Sequence, residues 1–381
     1  MNIKSVSNNI LITRALTNLN KTQLVYKIFL KSVFILVIAS AIAFPSVAQI
    51  GGSQTYEFLN LTYSARIAGM GGEFLAIKDN DITLALANPS LISPEMHNNL
   101  SLSYVNYFTG PNYGYVMYSR TFKNTGSFVG SFQFIDYGKF TAADESGIKT
   151  GEFSASEYAL NIGWARQLGP LFSIGANGKL IYSSLESYHS FGIAVDVAGT
   201  YLSKNELFTA SLIARNIGAQ IVPYRAGNRE PLPFDLQAGV SAKLQHIPVL
   251  FSFLYDHIEK WDLSYNDPND PSNQKDPITG ETKTKSGVGQ FADNFMRHIV
   301  VGTEVTIAKV FAIRLGYNYG RRQELKIYNR TGLSGFSYGF GVRVKMFNFS
   351  YTRATYQAGS LNPNYITLTA NLGGFKKQES K

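Results

Sequence analysis

Phe336-Ser337-Tyr338-Gly339-Phe340-Gly341-Val342-Arg343-Val344-Lys345-Met346 decides how the rest of the chain is read. Its even positions are large and apolar, and its odd positions are small, polar or charged. Successive side chains of an extended strand point to opposite faces, so this stretch has one greasy face and one wet face.

The same period recurs along the chain. Phe311, Ile313, Leu315, Tyr317 and Tyr319 oppose Ala312, Arg314, Gly316 and Asn318, and Ile366, Leu368, Ala370 and Leu372 oppose Thr367, Thr369 and Asn371. Phe128, Phe132 and Phe134 likewise oppose Ser131 and Gln133. Strands of a soluble sandwich alternate too, but their wet face is usually rich in Lys and Glu, whereas here it is mostly Gly, Ser, Thr and Asn. The composition agrees: 16% of the 381 residues are charged, 13% are aromatic, Gly numbers 34, and the mean hydropathy is only -0.06. Many strands with one face to lipid and one to water need that mixture. After Ala48 no apolar run is long enough for a spanning helix.

Counting such segments gives about fourteen strands, an even number that closes an antiparallel barrel. They start near Asn99, Tyr113, Gly126, Glu152, Leu171, Tyr188, Leu207, Phe234, Pro248, Arg297, Val310, Leu333, Phe347 and Tyr365. Alternate links are short, as at Lys123-Asn124-Thr125, Gln245-His246-Ile247 and Ala308-Lys309. The links between them are mostly longer: Tyr137 to Gly151, Asn216 to Pro233, and the polar stretch from Lys260 to Asn294. Short periplasmic turns alternating with long external loops are the outer-membrane pattern, and both mature termini then lie on the periplasmic side.

The first 48 residues read as an export signal. Lys21, Lys27 and Lys31 precede an apolar run from Ser32 to Phe44, and Ser46-Val47-Ala48 supplies the small residues of a cleavage site. A membrane anchor is the competing reading, but the run is short and Pro45 interrupts it. The five basic residues Lys4, Arg14, Lys21, Lys27 and Lys31 have no acidic counterpart there, so subtracting them lowers the net charge from +9 to +4. Nucleic-acid binding has little support at that charge. Cysteine is absent, which excludes a disulfide framework, a thiolate nucleophile and a lipidated cysteine. Neither cofactor nor metal is expected, and membrane attachment falls to the fold.

Between the signal and the first strand, residues 49–98 differ in character. They hold Tyr56-Glu57-Phe58-Leu59-Asn60-Leu61, Ser64-Ala65-Arg66, Gly69-Met70-Gly71-Gly72 and Asp79-Asn80-Asp81, then Asn88-Pro89-Ser90. Asp81 is placed to cap a short helix from Ile82 to Ala87, which Pro89 would stop. Some forty residues upstream of a barrel suggest a periplasmic segment or a lumen plug. The organisation expected is therefore signal peptide 1–48, plug segment 49–98, barrel 99–375 and a polar tail 376–381.

The pattern YEFLNL, SAR-x-A-x-MGG and D-x-DI-x-x-A-x-x-NPSL, followed by about fourteen strands, resembles the PorQ family of the Bacteroidetes type IX secretion system. It is similar, more distantly, to PorV and to FadL-type transporters. Its distinctive motif lies in Tyr56 to Leu91 and includes Tyr56, Phe58, Leu59, Ser64, Ala65, Arg66, Gly69, Gly71, Gly72, Asp81, Asn88 and Pro89. The resemblance implies a fourteen-stranded barrel in the outer membrane. It further implies membership of the attachment complex, which holds an extracellular PorZ-like subunit and helps anchor secreted cargo to surface lipopolysaccharide. The C-terminus departs from many outer-membrane barrels, because Phe375 precedes a polar tail instead of ending the chain.

Sharper chemistry finds little purchase. Gly69, Gly71 and Gly72 lack the Gly-Lys-Ser/Thr of a phosphate loop and fit close backbone packing better. Asp79 and Asp81 lack the spacing and closing Glu of an EF-hand, which leaves capping. His97, His189, His246, His257 and His298 are scattered, and no Ser-His pair is singled out, so the chain does not read as an enzyme. Lys179, Asp196, Glu304, Arg314, Arg343 and Lys345 share the inward parity. They either line a permeation path or pair with one another and with plug residues such as Glu73 and Asp79; a plugged lumen must neutralise its own charges, which favours pairing. Two functions follow. One is a plugged barrel whose outer loops hold a secretion-system partner. The other is a FadL-type transporter of hydrophobic small molecules, for which an apolar pocket in the lumen would speak. An open diffusion porin needs the plug segment to lie outside the lumen.

Overall fold

Fourteen stretches of alternating sequence become fourteen antiparallel strands because each buries small polar side chains on one face and leaves large apolar ones on the other. The computed structural model describes residues 54–107, 110–264, 287–325, 332–356 and 362–376. The first seven strands are β1 (Asn99–Asn106), β2 (Asn112–Phe122), β3 (Gly126–Ala143), β4 (Lys149–Gln167), β5 (Phe172–Leu185), β6 (Tyr188–Leu202) and β7 (Phe208–Val222). The remaining seven are β8 (Asp235–Lys243), β9 (Val249–Tyr255), β10 (Ile299–Ile307), β11 (Phe311–Asn318), β12 (Phe336–Val344), β13 (Phe347–Ala354) and β14 (Asn364–Asn371). Each pairs with its sequence neighbour, and β1 pairs with β14 from Asn99↔Asn371 to Asn106↔Asn364, which closes the barrel. Closure leaves no unpaired edge, the condition for a sheet to cross lipid.

The expected strand starts fall within three residues of the observed ones. In β12 Ser337, Gly339 and Gly341 are buried while Phe336, Tyr338 and Phe340 are exposed. Leu160, Ile162, Leu212, Phe251, Leu315 and Leu368 show the same outward habit elsewhere in the wall. These residues form the lipid-facing surface of an outer-membrane barrel. None of the described helices is long and apolar enough to cross a membrane.

Several boundaries differ from expectation. The link Tyr137 to Gly151 is not a loop: β3 and β4 run on as a two-stranded ribbon to a turn at Asp144–Gly147. Eighteen and nineteen residues exceed the roughly 9–11 that span a bilayer, so the ribbon projects beyond the wall. Its tip alternates weakly because both faces are exposed there. Helix α1 (Ala65–Gly69) lies in the plug, α2 (Gly287–Arg297) occupies part of the stretch read as a polar loop, and α3 (Tyr319–Leu325) follows β11. A short α4 (Gly373–Lys376) follows β14. The expected helix Ile82–Ala87 is a 3-10 turn over Ile82–Ala85, capped by Asp81 as read from the sequence. Signal residues 1–48, loop residues 265–286 and tail residues 377–381 lie outside the described residues.

Candidate functional site in the plugged lumen

Residues 56–96 fold into the barrel as a chain of very short helical turns, three of them held by a side-chain cap. Ser64 opens α1 by accepting the Ile67 N–H, Asp81 caps the turn at Ile82 by accepting the Thr83 N–H, and Asn88 accepts the Ser90 N–H. Helices of three to five residues are not stable alone, so these segments depend on the wall around them.

The motif residues make that dependence specific. The Ala65 N–H donates to Thr367 Oγ1 of β14 at 2.9 Å, and the Ala65 carbonyl accepts from Thr352 Oγ1 of β13 at 2.6 Å. α1 is thereby pinned end-on between two strands. Asn88 is fully buried; its Nδ2 donates to the Leu75 carbonyl at 2.7 Å and to Thr200 Oγ1 of β6 at 3.2 Å. Tyr56, Phe58 and Leu59 join Tyr63, Tyr113, Tyr115 and Tyr365 in one apolar cluster. Pro89 lies against Gly175 of β5, where a Cβ would meet the Pro89 carbonyl carbon and the Ser90 nitrogen.

The glycine motif is a matter of space and backbone angle. Gly71 and Gly72 have φ of 118° and 102°, which L-residues with a Cβ adopt only under strain. The Met70–Gly71 peptide presses on the paired wall residues Gly302 and Gly316, where a Cβ would overlap plug backbone. Gly69 sits as tightly against Thr352 and Arg314. No phosphate is implied. Glycine on both sides lets two backbones meet.

The charged lumen residues divide into two buried clusters. Glu304 of β10 stands directly across from Arg314 of β11 and accepts its Nε–H at 2.7 Å. Arg66 completes the cluster from the plug, donating to both Glu304 oxygens at 2.9 and 2.7 Å, to Asp81 at 3.1 Å, and lying 2.7 Å from Asp79. A planar guanidinium suits this role because its fork serves several carboxylates at fixed angles. On the other side Lys179 pairs with Asp196 at 2.8 Å and donates to Asn216 Oδ1 at 2.7 Å. Asp196 also accepts the Asn216 N–H, at the bulge where the β6–β7 register shifts. Arg343 and Lys345 join neither cluster. Arg343 is exposed and lines the short-turn mouth, while Lys345 belongs to the β12–β13 turn, where a φ of 51° ends the alternation that assigned it to the lumen.

One group was partly hidden from the sequence. Glu73, enclosed by the lumen, meets Asp256 after β9 and the Gln237 amide of β8, with Asp235 and His257 beside them. The run Asp256-His257-Ile258-Glu259 was the available signal, but nothing in it says that a strand returns Asp235 to the same place. Burial, and then the neighbouring Asp256, push the Glu73 carboxyl up from 4.5 to about 8. A carboxyl whose folded pKa is raised holds its proton while the unfolded chain has lost it. The barrel should therefore lose stability as pH rises from about 5 to 8. Glu73→Gln is expected to flatten that part of a urea-midpoint-versus-pH curve, and an unchanged slope would count against a protonated Glu73.

The space beside the plug is uneven. The cavity between Leu59, Tyr63, Leu75, Tyr115 and the wall residues Gln133, Lys179 and Gln237 measures about 40 Å³. That is room for a few waters, against the roughly 150 Å³ that accommodates benzene. A larger cavity of about 430 Å³ opens at the short-turn mouth, where Arg66, Asp79, Lys243, Glu304, Arg314 and Arg343 stand beside Leu207, Leu244 and Ile247.

No protein-family model matches the chain, and no curated protein matches it. Among solved structures the chain is similar to the Ralstonia pickettii toluene transporter TbuX, with a TM-score of 0.50 and 10% identity over 82% of this chain and 99% of that one. It is also similar to the Pseudomonas putida toluene transporter TodX, with a TM-score of 0.48 and 13% identity over 81% of this chain and 96% of that one. The monoaromatic hydrocarbon channel CymD gives a TM-score of 0.47 and 13% identity over 82% and 98%. At these identities the likeness concerns fold. The chain is a closed fourteen-stranded outer-membrane barrel of FadL-like architecture.

Proposed function

We propose that this barrel is a sealed outer-membrane anchor whose long-loop face holds an extracellular subunit. On the sequence resemblance, that subunit is PorZ-like and belongs to the type IX attachment complex that fixes secreted cargo to surface lipopolysaccharide. The observation that carries the reading is the filled lumen. Plug residues reach β7 through the Leu59 carbonyl and Arg215, β8 through Ala76 and Ser241, β10 through Arg66 and Glu304, and β13 and β14 through Ala65. A barrel closed in this way has its usable surface outside the lumen, at the loops and the projecting β3–β4 ribbon. The ribbon exposes Phe140, stacked on Phe153 at 5.2 Å between ring centres, and Ile148 at its tip. Exposed aromatic and aliphatic side chains on a projecting hairpin suit a protein partner.

A second reading rests on the fold comparison, in which the solved structure named above at a TM-score of 0.50 is a toluene transporter. FadL-like architecture supports passage of a hydrophobic small molecule, and the plug would then act as a hatch. Proteoliposomes separate the two. An anchor should pass a small aromatic hydrocarbon no faster than protein-free vesicles, and uptake several-fold above that background would establish the transporter.

A further inference from the structure

We propose that the long-loop mouth of the barrel carries a divalent-cation site, of the zinc class, built by Asp235, His257 and Glu259. The site stands apart from the choice between anchor and transporter. Asp235 opens β8 on its inward parity, and β9 runs back beside β8 to deliver Asp256, His257 and Glu259 to the same end. One candidate ligand atom from each of Asp235, His257 and Glu259 lies within 4.8 Å of the others. His257 Nδ1 is 2.9 Å from Glu259 Oε1 and 3.4 Å from Asp235 Oδ1. Ligands at 2.0–2.2 Å from a tetrahedral ion stand roughly 3.4 Å apart, so the imidazole nitrogen already stands near coordinating distance from both carboxylates.

A buried atom beside the three ligands adds an independent observation. Asp235 is only 3% exposed, and its Oδ1 faces His257 Nδ1. Gln237, 1% exposed, has its Oε1 without a partner. Its Nε2 meanwhile faces Asp235 Oδ2 at 2.6 Å, Asp256 Oδ1 at 2.7 Å and Glu73 Oε2 at 3.2 Å. That one amide nitrogen is shared among three carboxyl groups, while the buried Gln237 Oε1 is left unpaired, and a buried acceptor without a partner is costly. Among the described groups, His257 also feels Glu57 and Glu324, and Arg215 acts on Glu73.

Imidazole with two carboxylates suits zinc and its neighbours, whereas calcium and magnesium prefer oxygen alone. Glu259 is exposed, so an ion has a path from solvent.

The test is calorimetric titration of Zn²⁺ into the untagged, folded barrel in detergent near neutral pH. One ion per chain is expected. Asp235→Asn and His257→Gln should each weaken binding at least about tenfold, in the range that loss of metal-site groups produces. Glu259→Gln keeps an oxygen to accept the Leu236 N–H, so it should weaken binding while the barrel still folds, shown by its resistance to denaturant, which guards against misfolding in the other two. Absence of Zn²⁺ uptake, binding equal in all three variants, or saturation by Ca²⁺ alone would overturn the assignment.

Discussion

Glu304→Ala is expected to destabilise the folded barrel by about 3–5 kcal/mol, the usual result of removing one partner from a buried ion cluster. Glu304 holds the wall guanidinium of Arg314 and both arms of the plug's Arg66. After the substitution Arg66 keeps Asp79 and Asp81, whereas among the described residues Arg314 keeps a hydrogen bond to the neutral Ser350 Oγ at 3.2 Å. A nearly buried guanidinium would then lack a counter-charge, since the side-chain exposures in this cluster are 4–10% for the arginines and Glu304. The pair Lys139–Glu152 on the projecting ribbon is the control, at 3.4 Å with side chains 80% and 65% exposed. Lys139→Ala should change stability by no more than about 1 kcal/mol. Urea unfolding of both refolded variants decides the matter, and equal small losses would mean that the cluster does not fasten the plug.

Gly316→Val should convert a closed protein into a leaky one. The wall glycine faces the Met70–Gly71 peptide so closely that any Cβ would overlap plug backbone. Neither partner yields easily, because Gly316 lies within β11 and the plug chain is pinned to the wall just upstream by Ala65 and Arg66. The strand itself accepts Val, whose propensity there exceeds that of Gly. The barrel should therefore close while the plug is pushed out. In planar bilayers the unaltered protein is expected to show no steady pores and Gly316→Val to show discrete openings. A variant that folds, by its resistance to denaturant, yet remains closed would show that the plug tolerates displacement.

The barrel was legible because its wall repeats one rule. Outward Phe336, Tyr338 and Phe340 against inward Ser337, Gly339 and Gly341 is a local pattern, and fourteen copies with alternating link lengths are enough to count strands. The rule failed where its physical cause stops. The tip of the β3–β4 ribbon is wet on both faces, so nothing alternates and it reads as loop. Lys345 kept its parity on paper but lies in a turn. α1 escaped notice because five residues, Ala65-Arg66-Ile67-Ala68-Gly69, are too few to show a helical period and draw their stability from Thr352 and Thr367, some 290 to 300 positions away. In the lumen, the candidate charges were legible as a set by parity, yet their partners were not. Glu304 and Arg314 are linked by strand register, and Arg66 reaches them only because Gly69, Gly71 and the wall glycines let the plug come close. The Asp235 and His257 neighbourhood was invisible for the same reason, since register brings those residues together and their spacing along the chain does not.

The measurement that bears most directly on the proposed role is made in the native cell. A strain lacking this chain should release the extracellular attachment subunit and its secreted cargo from the surface into the medium, with both restored by the unaltered gene. Restoration by a copy carrying the plug intact but the β3–β4 ribbon cut back to a short turn, from Lys139 to Lys149, should fail while the barrel still reaches the membrane. Normal surface retention of cargo in the deletion strain, together with lost uptake of an apolar nutrient, would contradict the anchor and leave the transporter.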